Sequence, residues 1–230
     1  MTTVLITGAS RGIGFGLARH HLEAGDTVIA ACRTPSKAKE LKALKGAARL
    51  RISKLDVTSD KSVAALKEEI GNVPIDILYN NAGIAGPHNQ TVDDVDYEGW
   101  TKTFETNVQG PLRVALAFKD NLKAAKGKIV NITSGMGSIG ALTPGWLMIY
   151  AYRSSKTALN MVMRILSFEL QKDGVTVILM SPGWVKTDMG GENAAITVEQ
   201  SVKGITSTIA GIGVDKTGIF VNYDGTVMPW

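Results

Sequence analysis

An α/β fold with a single, mostly parallel, doubly wound sheet is the class this sequence predicts. Three observations point there. Short apolar runs alternate with longer amphipathic segments along the whole chain. The runs are rich in Val, Ile and Leu and almost free of polar residues, as expected of strands buried on both faces of a parallel sheet. A glycine-rich turn follows the first run directly. Strand and helix in regular alternation imply right-handed crossovers that place helices on both faces.

In order, the expected strands are 4–7, 27–32, 48–55, 75–80, 128–133, 175–181 and 218–222, about seven in all. The expected helices are 13–24, 36–44, 60–70, 106–123, 152–172 and 197–209, where apolar positions recur with helical spacing. Segments 83–94, 135–149 and 182–196 follow strands and carry the irregular, Gly- and Pro-containing sequence. All three should overhang one edge of the sheet, where α/β proteins place their sites. No repeat or linker divides the chain, so residues 1–230 are expected to form one domain.

Composition narrows the classes. The 230 residues carry 25 Lys and Arg against 21 Asp and Glu, a net charge of +4, and 44% of them are hydrophobic. That balance excludes disorder for most of the chain. The basic residues are scattered among acids, which argues against nucleic-acid binding. No run approaches the ~18 apolar residues of a membrane span, and the start of the chain has no basic segment leading a long apolar one. A cytoplasmic location is expected, without a membrane or metal partner. The single cysteine, Cys32, follows an apolar run and reads as a small buried hydrophobe. Glycine is the excess: 25 residues without a three-residue period, more suited to tight turns and close approaches to a ligand than to a fibrous repeat.

The first strand runs into Thr7-Gly8-Ala9-Ser10-Arg11-Gly12-Ile13-Gly14 and then a helix. Glycines 8, 12 and 14 suit a tight turn, a close backbone approach and close helix–strand packing. The helix N-terminus offers free N–H groups and partial positive charge to a pyrophosphate. Between first strand and first helix this is a dinucleotide signature of the Rossmann type. The second strand then bears on which dinucleotide. NAD sites place an acid near its end for the ribose 2′-hydroxyl. Here the chain reads Ala30-Ala31-Cys32-Arg33-Thr34. Arg33, with Arg11 from the glycine loop, suits a 2′-phosphate, so NADP(H) is preferred over NAD(H). The alternative for Arg33 is a solvated surface arginine.

Tyr152-Arg153-Ser154-Ser155-Lys156 opens the long helix after the fifth strand. Residues four apart share a helix face. A cation there lowers the pKa of a phenol, which can then exchange a proton with a carbonyl or alcohol oxygen. Tyr150 competes but has Ser154 four residues on. An isolated pair of this spacing is often only a surface pair. Ser134, where the fifth strand ends, could hold a substrate oxygen beside the tyrosine. Thr133 and Ser138 are rivals, and strand alternation turns Thr133 the other way.

Taken together, Thr7-Gly8-x-x-x-Gly12-x-Gly14, Asn80-Asn81-Ala82-Gly83, Asn107, Ser134, Tyr152-x-x-x-Lys156 and Pro182-Gly183 through Thr187 resemble the short-chain dehydrogenase/reductase family over nearly the whole chain. The Pro182–Met189 stretch and the ending Phe220-Val221-Asn222-Tyr223-Asp224-Gly225 with Trp230 resemble its Sniffer-type and C-factor-like carbonyl reductase branch. The resemblance implies a Rossmann fold and a catalytic set of Asn107, Ser134, Tyr152 and Lys156. Tyr152 is then the acid–base residue. Lys156 lowers its pKa and holds the nicotinamide ribose, Ser134 binds the substrate carbonyl, and Asn107 positions a relay water.

For the cofactor the resemblance implies Gly8, Ser10, Arg11, Gly12, Ile13, Gly14 and Arg33 around the phosphates. Asp56 and Val57 fall at the adenine, and Asn80, Ala82 and Gly83 in the ribose region. Tyr152, Lys156, Pro182, Gly183, Val185 and Thr187 fall at the nicotinamide end. The implied activity is NADPH-dependent reduction of a ketone or aldehyde. A C-factor-like dinucleotide-binding signalling protein and an alcohol-oxidising dehydrogenase are the alternatives. The interval from Ser134 to Tyr152 is longer than is usual in the family. Trp146, Leu147 and Met148 within it suit a hydrophobic carbonyl substrate, and equally a plain structural excursion. A homodimer or homotetramer is implied, because the helix from Tyr152 carries more apolar surface than one sheet face requires.

Overall fold

A strand buried on both faces needs two separate apolar layers, and the alternation of side chains along each strand supplies them. The computed structural model describes residues 1–87, 90–91, 93–144 and 149–230. Its seven strands are β1 Thr3–Thr7, β2 Thr27–Cys32, β3 Leu50–Lys54, β4 Ile77–Asn80, β5 Lys128–Ile132, β6 Thr176–Ser181 and β7 Ile219–Asn222. They form one sheet in the order β3-β2-β1-β4-β5-β6-β7, and every neighbouring pair is parallel. The order reverses between β1 and β4, so the crevice of a doubly wound sheet opens above those two strands.

In β1, Val4 and Ile6 face one layer and Leu5 the other; in β6, Ile178 and Met180 oppose Val177 and Leu179. The first layer is closed by α1 Gly12–Glu23 and α8 Val198–Ala210, through Leu17, Leu22, Val202, Ile205 and Ile209. The second is closed by α3 Asp60–Ile70, α5 Gly110–Ala117 and α7 Tyr150–Leu170, through Leu66, Ile70, Val114, Leu159, Met163 and Leu166. Close packing of α1 on α8 requires Gly16: a Cβ there would stand 2.6 Å from Val198 Cγ1.

The helices depart from expectation in four places. Region 36–44 forms a 3₁₀ turn, Pro35–Lys37, and a four-residue helix, α2 Lys39–Lys42, with only Leu41 buried in the latter. One apolar contact cannot hold a longer isolated helix. A helix not foreseen, α4 Tyr97–Phe104, starts at Asp96, whose side chain accepts from Gly99 N at 2.8 Å. The single helix expected at 106–123 is divided. A π-helical turn, Glu105–Gln109, leads into α5, and the chain breaks at Phe118 before α6 Lys119–Ala125. The long helix α7 begins at Tyr150 rather than Tyr152, so both tyrosines lie in its first turn.

Candidate active site

The glycine loop is held by the strand beside it. Thr7 Oγ1 accepts from the backbone N–H groups of Asn81 and Ala82 at 3.0 Å each and donates to the Tyr79 carbonyl. Asn81 Nδ2 donates to the carbonyls of Thr7 and Gly8 at 2.9 and 3.2 Å. These bonds join the ends of β1 and β4 at the switch point. Gly8 and Gly12 have φ of +67° and +55°, which a side chain would strain. A Cβ on Gly14 would lie 2.5 Å from both Asn81 Nδ2 and the Gly8 carbonyl. The role of Asn81 was missed in the sequence, where it stands inside the quoted Asn80-Asn81-Ala82-Gly83 without a chemical signal of its own.

The N-terminus of α1 fits a pyrophosphate. Arg11, at the N-cap, makes no side-chain capping bond, and no acid occupies the first turn. Its first N–H groups and partial positive charge are thus left for an external anion. Ser10 and Ile13 sit half-buried on this loop. Arg33 is exposed at the end of β2. Arg11 is also exposed, but its Nη1 lies 3.0 Å from Asp188 Oδ2, so it faces the 182–196 segment. That segment lies over the loop: a Cβ on Gly12 would meet Thr187 Cγ2 at 3.4 Å.

Asp56 is held in a turn, with Thr58 N and Oγ1 donating to Oδ1 at 3.0 and 2.7 Å. These bonds, aided by the nearby charges of Arg33 and Arg113, hold its carboxyl below the usual range. Val57 turns its side chain into the core, where a Cβ on Gly110 would approach it to 2.8 Å, so only its backbone is free to meet an adenine. Asn80, expected to support the ribose region, does not present its side chain to the crevice. Its side chain is buried and donates to Asn131 Oδ1 at 2.9 Å and the Pro111 carbonyl at 3.2 Å.

At the other side of the crevice, Ser134 ends β5 and caps the turn Gly135–Gly137, accepting from Met136 N at 3.1 Å. Tyr152 is half-buried in the first turn of α7. Burial pushes its phenol up from the ordinary value, and its hydrogen bond with Ser134 acts in the opposite direction. Lys156 is buried, its Nζ donating to the Ile132 carbonyl at 2.8 Å and lying 5.7 Å from the centre of the Tyr152 ring. Burial pulls its pKa down to about 8. Burial thus sets the direction of the phenol's shift, against the lowering expected from the lysine. A Cβ on Gly83 would stand 3.7 Å from Lys156 Nζ, which puts the β4 loop against this group.

Asn107 lies in the π turn and is fully buried. Its Oδ1 accepts from Ile84 N at 2.9 Å, and its Nδ2 donates to Ile84 O at 2.9 Å and Ser155 Oγ at 3.1 Å. The amide thus ties the β4 loop to α7 beside Lys156. The widened turn brings Asn107 into that position; such turns recur at functional sites.

The rivals have other work. Thr133 Oγ1 faces the Lys156 carbonyl, Ser138 Oγ accepts from Ala141 N at 3.0 Å, and Tyr150 stacks on Trp100 at 6.2 Å. Pro182 and Val185 are buried, Gly183 has φ +80°, and Thr187 Oγ1 accepts from Gly190 N at 3.1 Å, shaping the strap over the crevice. Trp146, Leu147 and Met148 lie outside the described residues. Among the described residues no helix is long and apolar enough to cross a membrane.

A parallel sheet with an uncapped helix at its switch point, and a Ser–Tyr–Lys set facing it, defines a dinucleotide-dependent oxidoreductase class. The short chain dehydrogenase model matches residues 2–196, and the chain belongs to that family. It is 43% identical over 158 residues to C-signal of Myxococcus xanthus, covering 68% of this chain and 93% of that one. Among solved structures, NADPH-bound carbonyl reductase from chicken fatty liver matches with a TM-score of 0.92 and 35% identity, over 100% of this chain and 99% of that one. Carbonyl reductase Sniffer of D. melanogaster matches with a TM-score of 0.91 and 35% identity over 100% of both chains.

Proposed function

We propose that this chain is an NADP(H)-dependent carbonyl reductase acting on a ketone or aldehyde. The observation that carries it is Ser134, Tyr152 and Lys156 converging across the crevice from the uncapped glycine-loop helix. When bound, the dinucleotide supplies the hydride. The first turn of α1 would receive the pyrophosphate and Arg33 the 2′-phosphate. Asp56 and the Val57 backbone would meet the adenine, Ala82, Gly83 and Lys156 the nicotinamide ribose, and the Pro182–Thr187 strap the nicotinamide.

Ser134 Oγ holds the substrate oxygen, and Tyr152 Oη delivers a proton to that oxygen. A phenol raised by burial stays protonated at neutral pH, which suits it as a donor and favours reduction over alcohol oxidation. Lys156, largely protonated below about pH 8, stabilises the phenolate left behind. Asn107 holds the β4 loop and Ser155 so that Lys156 keeps its place, and a water beside it would complete the proton path. Exposed Trp184 and Met189 on the strap, with Ile139 and Leu142 on the β5 loop, support a hydrophobic substrate.

Met161, Ile165 and Phe168 form an exposed stripe on α7 with relative exposures of 63%, 53% and 61%, while Leu159 and Leu166 of the same helix face the core. That stripe supports a homodimer or homotetramer, which light scattering would measure.

The test is Tyr152→Phe in a screen of aldehydes, ketones, quinones and diketones that follows NADPH absorbance. Turnover by the parent protein should fall by about 10²-fold or more in the variant, with NADPH binding retained. The similarity to C-signal favours one second reading, a dinucleotide-binding signalling protein. NADPH binding by the parent without turnover of any carbonyl would support that reading against the first.

A further inference from the structure

Arg11 and Asp188 meet across the mouth of the crevice, with Arg11 on the glycine loop and Asp188 on the strap that follows β6. Their charged atoms lie 3.0 Å apart, and both side chains are about three-quarters exposed, at 74% and 75%. Among the described residues neither side chain makes a second hydrogen bond or ion pair. Arg11 makes no capping bond to α1, and among the described residues the Asp188 carboxylate has Arg11 as its ion-pair partner. The next residue toward the site, Thr187, sits against Gly12. The carboxylate is therefore anchored above the phosphate loop, on the same side as the one arginine that belongs to it.

We propose that Asp188 narrows the cofactor preference by acting as the counter-ion that a 2′-phosphate must displace from Arg11. The inference rests on the reading of this edge as an NADP(H) site. A guanidinium fork accepts a carboxylate or a phosphate with the same geometry, and it cannot serve both fully at once. A phosphate dianion outcompetes a single exposed carboxylate but must first break the existing pair. A dinucleotide without the 2′-phosphate leaves the pair intact. Asp188 therefore weakens binding of the phosphorylated cofactor alone, and it narrows the preference that Arg11 and Arg33 create.

The experiment is titration of the purified protein with NADPH and with NADH, read by nicotinamide fluorescence, so that no substrate is needed. Asp188→Asn should lower the Kd for NADPH by about two- to five-fold, the range expected when one exposed ion pair stops competing. The Kd for NADH should not move. The NADPH effect should shrink in about 1 M salt, where exposed pairs are screened. In an Arg11→Leu background the Asp188 substitution should have no effect on either cofactor. Equal changes for both cofactors, or weaker NADPH binding, would show that Asp188 braces the strap and would overturn the proposal. Arg11→Leu alone separates the two readings. If it leaves the NADPH-to-NADH ratio unchanged, the assignment of Arg11 to the phosphate fails. If it lowers that ratio while Asp188→Asn changes nothing, only the counter-ion proposal fails.

Discussion

Replacing Lys156 by Met should stabilise the fold while abolishing turnover. The lysine is 5% exposed, and burial brings its pKa from 10.5 to about 8. Each pKa unit corresponds to about 1.4 kcal/mol, so holding the ammonium inside costs about 3 kcal/mol at neutral pH. Methionine keeps most of the apolar stem but loses the Nζ–Ile132 bond of 2.8 Å, a loss of about 1 kcal/mol. The net gain is about 2 kcal/mol, which in a chain of this size raises Tm by roughly 4–8 °C. The pH dependence fixes the cause. Below about 8 both folded and unfolded chains hold the proton, and the full cost is present. Between about 8 and 10.5 the unfolded chain keeps a proton that the folded chain has released, so parent stability rises with pH. The advantage of the variant should therefore shrink from pH 7 to pH 9.5. Urea unfolding of both proteins, without cofactor, at the two pH values measures this. A variant less stable than the parent at pH 7, or an advantage independent of pH, would refute the electrostatic account.

Three further outcomes follow from the same geometry. Gly14→Ala places a methyl group 2.5 Å from Asn81 Nδ2 and the Gly8 carbonyl, so thermal unfolding should show a loss of about 1–3 kcal/mol and titration a loss of NADPH binding. Arg33→Leu should raise the Kd for NADPH about ten-fold or more and leave NADH unchanged, as expected for loss of a charge-assisted pair. In carbonyl reduction, kcat/KM should decline as pH rises through about 8, where the free enzyme loses the Lys156 charge, and Lys156→Arg, which keeps a cation, should move that limb upward.

Most of the fold was legible because its signal is local. Seven runs of Val, Ile and Leu marked seven strands, and the alternation within each run assigns residues to the two layers. The Gly8-Gly12-Gly14 turn and the Tyr152–Lys156 spacing were legible for the same reason, since a few adjacent positions carry the chemistry. What the sequence concealed depends on partners far along the chain. Asn80 and Asn81 are the same residue type, yet one turns inward to Asn131 and the other stitches the glycine loop. Arg11 reads as an unpaired phosphate ligand in the sequence, and only the fold brings Asp188 of the strap beside it. The division of 106–123 was hidden because the apolar spacing continues through the π turn and past Phe118. Only the demands of packing against α3 and α7, and of placing Asn107, interrupt it.

Several features that oppose stability lie at the carboxyl ends of β1, β4 and β5. Gly8 and Gly12 have left-handed backbones there, Asn80 Oδ1 is buried without a partner, and Lys156 holds a charge in the interior. At the opposite edge His21 contacts both Asp26 at 2.8 Å and Tyr79 at 3.1 Å, and Asn121 Nδ2 donates to Gly71 and Val73 at 2.8 Å each, while Arg49 Nε is buried without a partner. A helix start open to an anion and a desolvated ammonium are each costly on their own. Each would be relieved or used when a phosphorylated dinucleotide and a carbonyl oxygen arrive. These costs predict that cofactor binding stabilises the protein chiefly at this edge, so hydrogen exchange should slow at the ends of β1, β4 and β5 and remain unchanged around His21 and Asn121.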